Sequence, residues 1–163
     1  KEGLEPVMII NTHGHFDHIG CNGYFHRRGI PVAIHSADSG LMMDGGGASL
    51  AGIPTELNEK PDILLEEGGS VEFGNEKIEV IFTPGHTPGH IALWHREGKK
   101  LFSGDSLFFR SIGRTDLPGG DYDLLLETLN EKILTLPADT EVFPGHGPST
   151  DIMAEKRFNP WFQ

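Results

Sequence analysis

The sequence predicts an α/β fold, and three observations carry the prediction. Short apolar runs recur along the chain, each closed by Gly, Pro, Asn or Asp, the pattern of buried strands ended by tight turns. Segment 121–134 sets Leu125, Leu129 and Ile133 at helical spacing and reads as a helix covering a sheet. Val7-Met8-Ile9-Ile10 reads as a buried strand, followed by a loop and then a helix over 19–27. Such strand-to-helix junctions are where open α/β sheets place ligands.

The remaining elements follow in order. Val32-Ala33-Ile34 is a short strand ending at His35, with Ser36 placed to cap the next turn. Segment 44–47, after Met42 and Met43, is glycine-rich and reads as a connector or a flexible lid. It is not a phosphate loop, because no Lys-Ser/Thr follows it. Strands are expected over 62–67, 71–73 and 78–82, with Gly68-Gly69 and Gly74-Asn75 as hairpin turns. Strands over 91–94 and 101–102 continue the sheet around Glu97-Gly98. The helix over 121–134 starts at Asp121, whose side chain can cap it, and Asp123 suits its dipole. A last short helix is expected over 151–157, before Asn159-Pro160. No repeat and no linker is visible, so the 163 residues read as one domain, 1–163.

Composition narrows the function classes. Hydrophobic residues make up 37%, with 22 Gly and 11 Pro, which suits a loop-rich enzyme rather than a disordered chain. Lys+Arg 13 against Asp+Glu 24 gives a net charge of −11, a poor match for nucleic acid or an anionic membrane. No apolar run is long enough to span a bilayer. The single cysteine, Cys21, excludes an internal disulfide and fits a reducing cytoplasm.

The chemistry concentrates in Thr12-His13-Gly14-His15-Phe16-Asp17-His18. A lone histidine is ordinarily a surface or satisfied core residue. Three histidines and an aspartate within six positions are costly for a core to absorb, and the apolar flanks exclude a tag. If the chain is extended there, His13 and His15 point the same way, while Asp17 and His18 can face a second point nearby. One segment can therefore serve two metal ions. Further ligand types recur on Gly- and Pro-rich turns at the ends of apolar runs: His86 and His90 in segment 83–90, Asp105 in Ser103-Gly104-Asp105, and His146 in Pro144-Gly145-His146-Gly147. Imidazole and carboxylate suit zinc, iron or manganese, and there is no set of thiolates.

These motifs together resemble the metallo-β-lactamase superfamily. The stretch Ser111-Ile112-Gly113-Arg114-Thr115-Asp116 and the tail Asn159-Pro160-Trp161-Phe162 resemble its glyoxalase II-like (hydroxyacylglutathione hydrolase-like) single-domain branch. The resemblance implies an αββα sandwich of four layers, two mixed sheets flanked by helices. Relatives carry several strands before the first motif, so a chain starting at Lys1 is expected to be truncated at its amino end. The resemblance also implies two divalent metal ions per chain, zinc first, with iron or manganese as alternatives. His13, His15 and His86 would hold one ion, Asp17, His18 and His146 the other, and Asp105 both. A hydroxide bridging the metals would be the nucleophile, Asp17 and Asp105 the catalytic carboxylates, and Arg114 a substrate-binding cation or else a partner of Asp116.

The implied activity is hydrolysis of a small thioester of the S-acyl glutathione type. Alternatives are a lactone or ester hydrolase, or a mononuclear iron oxygenase of the persulfide dioxygenase type. The expected partner is a small molecule, with no nucleic acid and no membrane, and an oligomer is allowed. His35 is a weak ligand candidate because the motif is already filled. His90 either touches substrate or the ligands' surroundings, or makes a structural hydrogen bond. Cys21 reads as a small buried thiol rather than a reactive one.

Overall fold

The protein is described by a computed structural model covering residue 3 and residues 5–163. It forms two compact units, one up to Leu65 and one from Glu66 onward.

In the first unit β1 (Ile9–Ile10), β2 (Val32–His35) and β3 (Ile63–Leu65) form a parallel sheet in the order β1-β2-β3, with Ile9 opposite Val32 and Ile34 opposite Leu64. Parallel neighbours need crossovers. The first contains α1 (Phe16–Ile19) and α2 (Asn22–His26), and the second α3 (Ser39–Met43) between 3-10 turns at Ser36–Asp38 and Ala48–Ala51. Ile19, Val32, Ile34 and Met42 make the core, with Ile9 and Met43 against it.

Three expectations for this unit change. Only Ile9–Ile10 pair as a strand, and Val7 is 72% exposed, because β1 has a single neighbour and a short register. The helix over 19–27 is two helices broken at Gly20-Cys21; the break seats buried Asn22 where it accepts from Asn11 Nδ2 at 3.2 Å and donates to Met42 Sδ at 3.5 Å. The cap after β2 is His35, whose Nδ1 accepts from the Ala37 amide at 3.2 Å, rather than Ser36.

The glycine-rich segment is a clamp. Gly46 has φ +64°, its carbonyl accepts from the Phe16 amide at 3.1 Å, and a Cβ on it would lie 2.3 Å from that nitrogen. Only glycine fits both the left-handed backbone and the close approach.

In the second unit, β4 (Ser70–Phe73), β5 (Glu76–Phe82), β6 (Ile91–His95) and β7 (Lys100–Gly104) run antiparallel. A separate hairpin, β8 (Leu107–Phe108) with β9 (Ser111–Ile112), follows. After α4 (Tyr122–Thr128) the chain returns as β10 (Glu141–Pro144), parallel to β7, and ends in β11 (Thr150–Asp151) and α5 (Ile152–Phe158). The six-stranded order is β11-β10-β7-β6-β5-β4, a mixed sheet as expected, whereas the first unit's described sheet is wholly parallel. Asp121 caps α4 through the Leu124 amide, and α4 runs on into a π-helical turn at Leu129–Ile133. Leu125, Leu129 and Ile133 pack on Ala92, Trp94, Leu101 and Val142, so the helix covers the sheet as its spacing requires. Gly74-Asn75 is a hairpin turn, but Gly68-Gly69 is not, because β3 and β4 belong to different sheets.

Glu155 ties the end of the chain to the β8–β9 hairpin. It is fully buried and accepts from the Arg110 amide at 3.0 Å, Arg110 Nη1 at 2.8 Å, Thr150 Oγ1 at 2.6 Å and Asn159 Nδ2 at 2.8 Å. These bonds hold Arg110 at φ +56°, a backbone conformation that costs a non-glycine residue about 1 kcal/mol.

Two outcomes follow for stability. Glu155→Ala removes the carboxylate partner of Arg110 and leaves the Asn159 amide and Arg110 backbone donors without that acceptor, and should lower unfolding free energy by about 3 kcal/mol, read as a shifted denaturant midpoint. Gly46→Ala meets backbone on every side and should cost about 2 kcal/mol or more; an unchanged midpoint would mean the clamp carries no strain.

Candidate metal centre

The first unit presents its ligand types on the loop between β1 and α1. His15 is the extended residue at the start of α1, so Asp17 and His18 lie in its first turn. The His13 ring lies 4.9 Å from that of His15, edge to face, and 4.1 Å from that of His18. His18 Nε2 is 3.6 Å from Asp17 Oδ2. His13 and His15 are buried, while Asp17 is exposed. Two backbone bonds hold the loop: Phe16 to the Gly46 carbonyl, and the Gly14 amide to Asp38 Oδ2 at 2.8 Å. Asp38 is fully buried.

The second unit brings His86, Asp105 and His146 together, each just past the end of a strand, β5, β7 and β10 respectively. His86 Nε2 lies 3.7 Å and His146 Nε2 3.5 Å from the same oxygen, Asp105 Oδ2. His86 Nδ1 donates to the Arg114 carbonyl at 2.7 Å, which places a ring proton on Nδ1 and turns Nε2 toward Asp105. Gly113 makes that loop possible, since a Cβ there would sit 1.9 Å from the Asp105 carbonyl oxygen. Phe108 stands beside His146, with ring centroids 6.3 Å apart.

The donors match borderline cations: imidazole and carboxylate, without thiolate. Two ligands bound to one tetrahedral zinc at its usual bond lengths are about 3.3 Å apart, close to the 3.5, 3.6 and 3.7 Å separations found within the two units.

The other candidates fall elsewhere. His35 caps a turn of the first unit. Cys21 is exposed rather than buried, because it sits at the break between α1 and α2. Arg114 is 60% exposed and gives Nε and Nη2 to the two oxygens of Asp116, both at 2.7 Å. That guanidinium holds the Asp116 carboxyl down at about 2. The opposite edge of the guanidinium, carrying Nη1, faces away from this pair and keeps donors for an anion. The hydrogen bonds of Asp38 and His90 were not legible in the sequence. Both follow from distant pairing, and the one local signal for His90 is its position four residues after His86.

The metallo-beta-lactamase superfamily profile matches residues 1–146. The chain is 42% identical to the probable metallo-hydrolase YqgX of Bacillus subtilis, over 99% of this chain and 78% of that one. It is 35% identical to the hydroxyacylglutathione hydrolase GloC of Haemophilus influenzae, over 97% and 76%. Among solved structures, BLEG-1, a B3 metallo-beta-lactamase, superposes with TM-score 0.93 at 42% identity, over 99% of this chain and 79% of that one. TTHA1623 in a di-iron-bound form superposes with TM-score 0.89 at 41% identity, over 98% and 79%. The family profile over most of the chain and these likenesses in sequence and fold lead to one conclusion: the chain belongs to the metallo-β-lactamase superfamily.

Proposed function

We propose that this metallo-hydrolase cleaves small thioesters of the S-acyl glutathione type at a two-metal site. One observation carries the reading. In the second unit two histidines from different strand ends converge on one oxygen of Asp105, while the first unit supplies a further imidazole–carboxylate pair, His18 with Asp17. A catalytic zinc uses about three protein ligands, so seven candidate residues exceed the need of one ion and suit two. By the family resemblance, His13, His15 and His86 would hold the first ion, Asp17, His18 and His146 the second, and Asp105 would contribute to both. Zinc fits the donors, as do iron and manganese, and the likeness to a di-iron-bound protein supports the pair.

When bound, two such cations acidify water and draw charge from a carbonyl oxygen. The chain's own residues do the rest. Asp17 accepts a hydrogen bond from the attacking water and orients it. His86 is kept in the right tautomer by the Arg114 carbonyl. Phe108, beside His146, offers an apolar wall for the acyl chain. Arg114, braced by Asp116, receives a carboxylate of the thiol carrier on its outer edge. A thioester suits the site because a departing thiolate, of pKa about 8.5, needs no strong acid. The likeness to hydroxyacylglutathione hydrolase GloC supports that substrate class.

Purified protein should carry about two metal ions per chain. His13→Ala and Asp105→Ala should each lose bound metal and lower thioester turnover by more than about a hundredfold, beyond the loss typical of outer-shell changes. One iron per chain with persulfide-dependent oxygen uptake and no thioester cleavage would replace this reading with an oxygenase. Cleavage of a β-lactam but of no thioester would move it toward the BLEG-1 chemistry.

Arg114→Ala should raise KM for an anionic thioester about tenfold with kcat little changed. The Asp116 carboxyl, lowered in the fold, contributes above its ordinary value of 3.8 and loses its contribution as pH falls through about 2. Its carbon-13 shift should therefore stay flat down to about pH 3 and titrate near 4 once Arg114 is removed. A wild-type midpoint near 4 would show that the pair does not brace the guanidinium.

A further inference from the structure

His90 is fully buried, and its hydrogen bonds define its protonation. The Asp105 backbone amide lies 2.9 Å from His90 Nε2, and an amide can only donate. Nε2 therefore accepts and carries no proton. The one ring proton sits on Nδ1 and points at Thr83 Oγ1, 2.7 Å away and equally buried. The Thr83 hydroxyl in turn reaches the His90 carbonyl at 3.4 Å, and the Thr83 amide donates to that same carbonyl at 2.9 Å. The direction of every bond is thereby set.

The Asp105 peptide is held at its other end as well. Its carbonyl oxygen closes against Gly113, and the preceding Gly104 carbonyl takes the Gly145 amide at 2.8 Å, one residue before His146. The His90 ring also stands edge to face with His86, at 5.8 Å. The imidazole thus meets the backbone of one candidate ligand and the ring of another.

We infer that His90 is a positioning residue: an imidazole protonated on Nδ1 whose Nε2 holds the Asp105 amide and so sets where the Asp105 carboxylate is presented to metal. The inference rests on Asp105 being a ligand. Buried donors and acceptors that fix a ligand's orientation commonly govern metal affinity nearly as strongly as the ligands themselves.

Two substitutions separate the two ring nitrogens. His90→Gln places an acceptor oxygen near the position of Nε2 and keeps the bond to the Asp105 amide. His90→Asn places a donor near the position of Nδ1 and keeps only the bond to Thr83. The measurement is zinc affinity of the full chain by chelator competition, with thermal unfolding recorded beside it. His90→Leu and His90→Asn should each weaken zinc binding by about ten- to a hundredfold, while His90→Gln stays within about threefold of wild type. A purely structural role would make the three track unfolding temperature instead, and that result, or rescue by Asn and not by Gln, would overturn the inference. A two-bond nitrogen–proton correlation spectrum of the wild-type, zinc-loaded chain tests it without any substitution. The Nδ1–H tautomer is expected, and an Nε2–H ring or a doubly protonated ring overturns it even if His90→Leu fails to fold. Asp105→Ala separates the two levels. Unchanged zinc binding there would remove the ligand assignment and this inference with it. Lost binding there beside wild-type affinity in His90→Leu would remove this inference alone.

Discussion

Asp105 leaves the end of β7 with its amide held by a buried imidazole and its carbonyl so near residue 113 that only glycine fits there. Much of the second unit is arranged around that grip. The turn after β5 brings His86 beside it, the turn after β10 brings His146, and the Arg114 carbonyl that orients His86 comes from the loop that Gly113 admits. A carboxylate that approaches two imidazoles cannot be left to swing. Held loosely it would sample geometries in which one histidine is lost, and a shift of about 1 Å is enough to impair a metal site.

The first unit meets the same requirement with different parts. Its ligand types sit on a loop and a one-turn helix that have little intrinsic stability, since so short a helix lies well below the length at which helices persist unaided. Stability comes from the backbone pegs, Asp38 on the Gly14 amide and Gly46 on the Phe16 amide. In both units, buried polar groups from segments remote in sequence hold the main chain of the ligand-bearing turns.

Away from the ligands, charge is used for bracing rather than for bulk stability. Arg114 and Asp116 form a two-point pair on the surface, where screening keeps the net contribution small; its value lies in holding a guanidinium in one orientation. Glu155 is the opposite case, a carboxylate buried at the start of the last helix whose donors all come from the chain around it. It fixes the turn that carries Phe109 and Arg110, next to the strand that brings Phe108 toward His146.

The sequence by itself determined the features that depend on near neighbours. The ligand types were legible because His13, His15, Asp17 and His18 fall within six positions, and because His86, Asp105 and His146 each stand on a Gly-bearing turn after an apolar run. The cap at Asp121 and the apolar stripe of α4 were readable for the same reason, as spacing within one element. Pairing between distant segments was decided only in the folded chain. Strands over 62–67 and 71–73 look alike locally, yet β3 joins the parallel sheet of the first unit and β4 the mixed sheet of the second, because the side chains that choose between neighbours lie tens of residues away. A segment rich in glycine reads as slack until Phe16 is seen to fill the space a side chain would take. His90 offers the same two nitrogens as any ligand histidine, and what turns it toward an amide is the close approach of β5 and β7 through β6, a relation the linear order of residues does not contain.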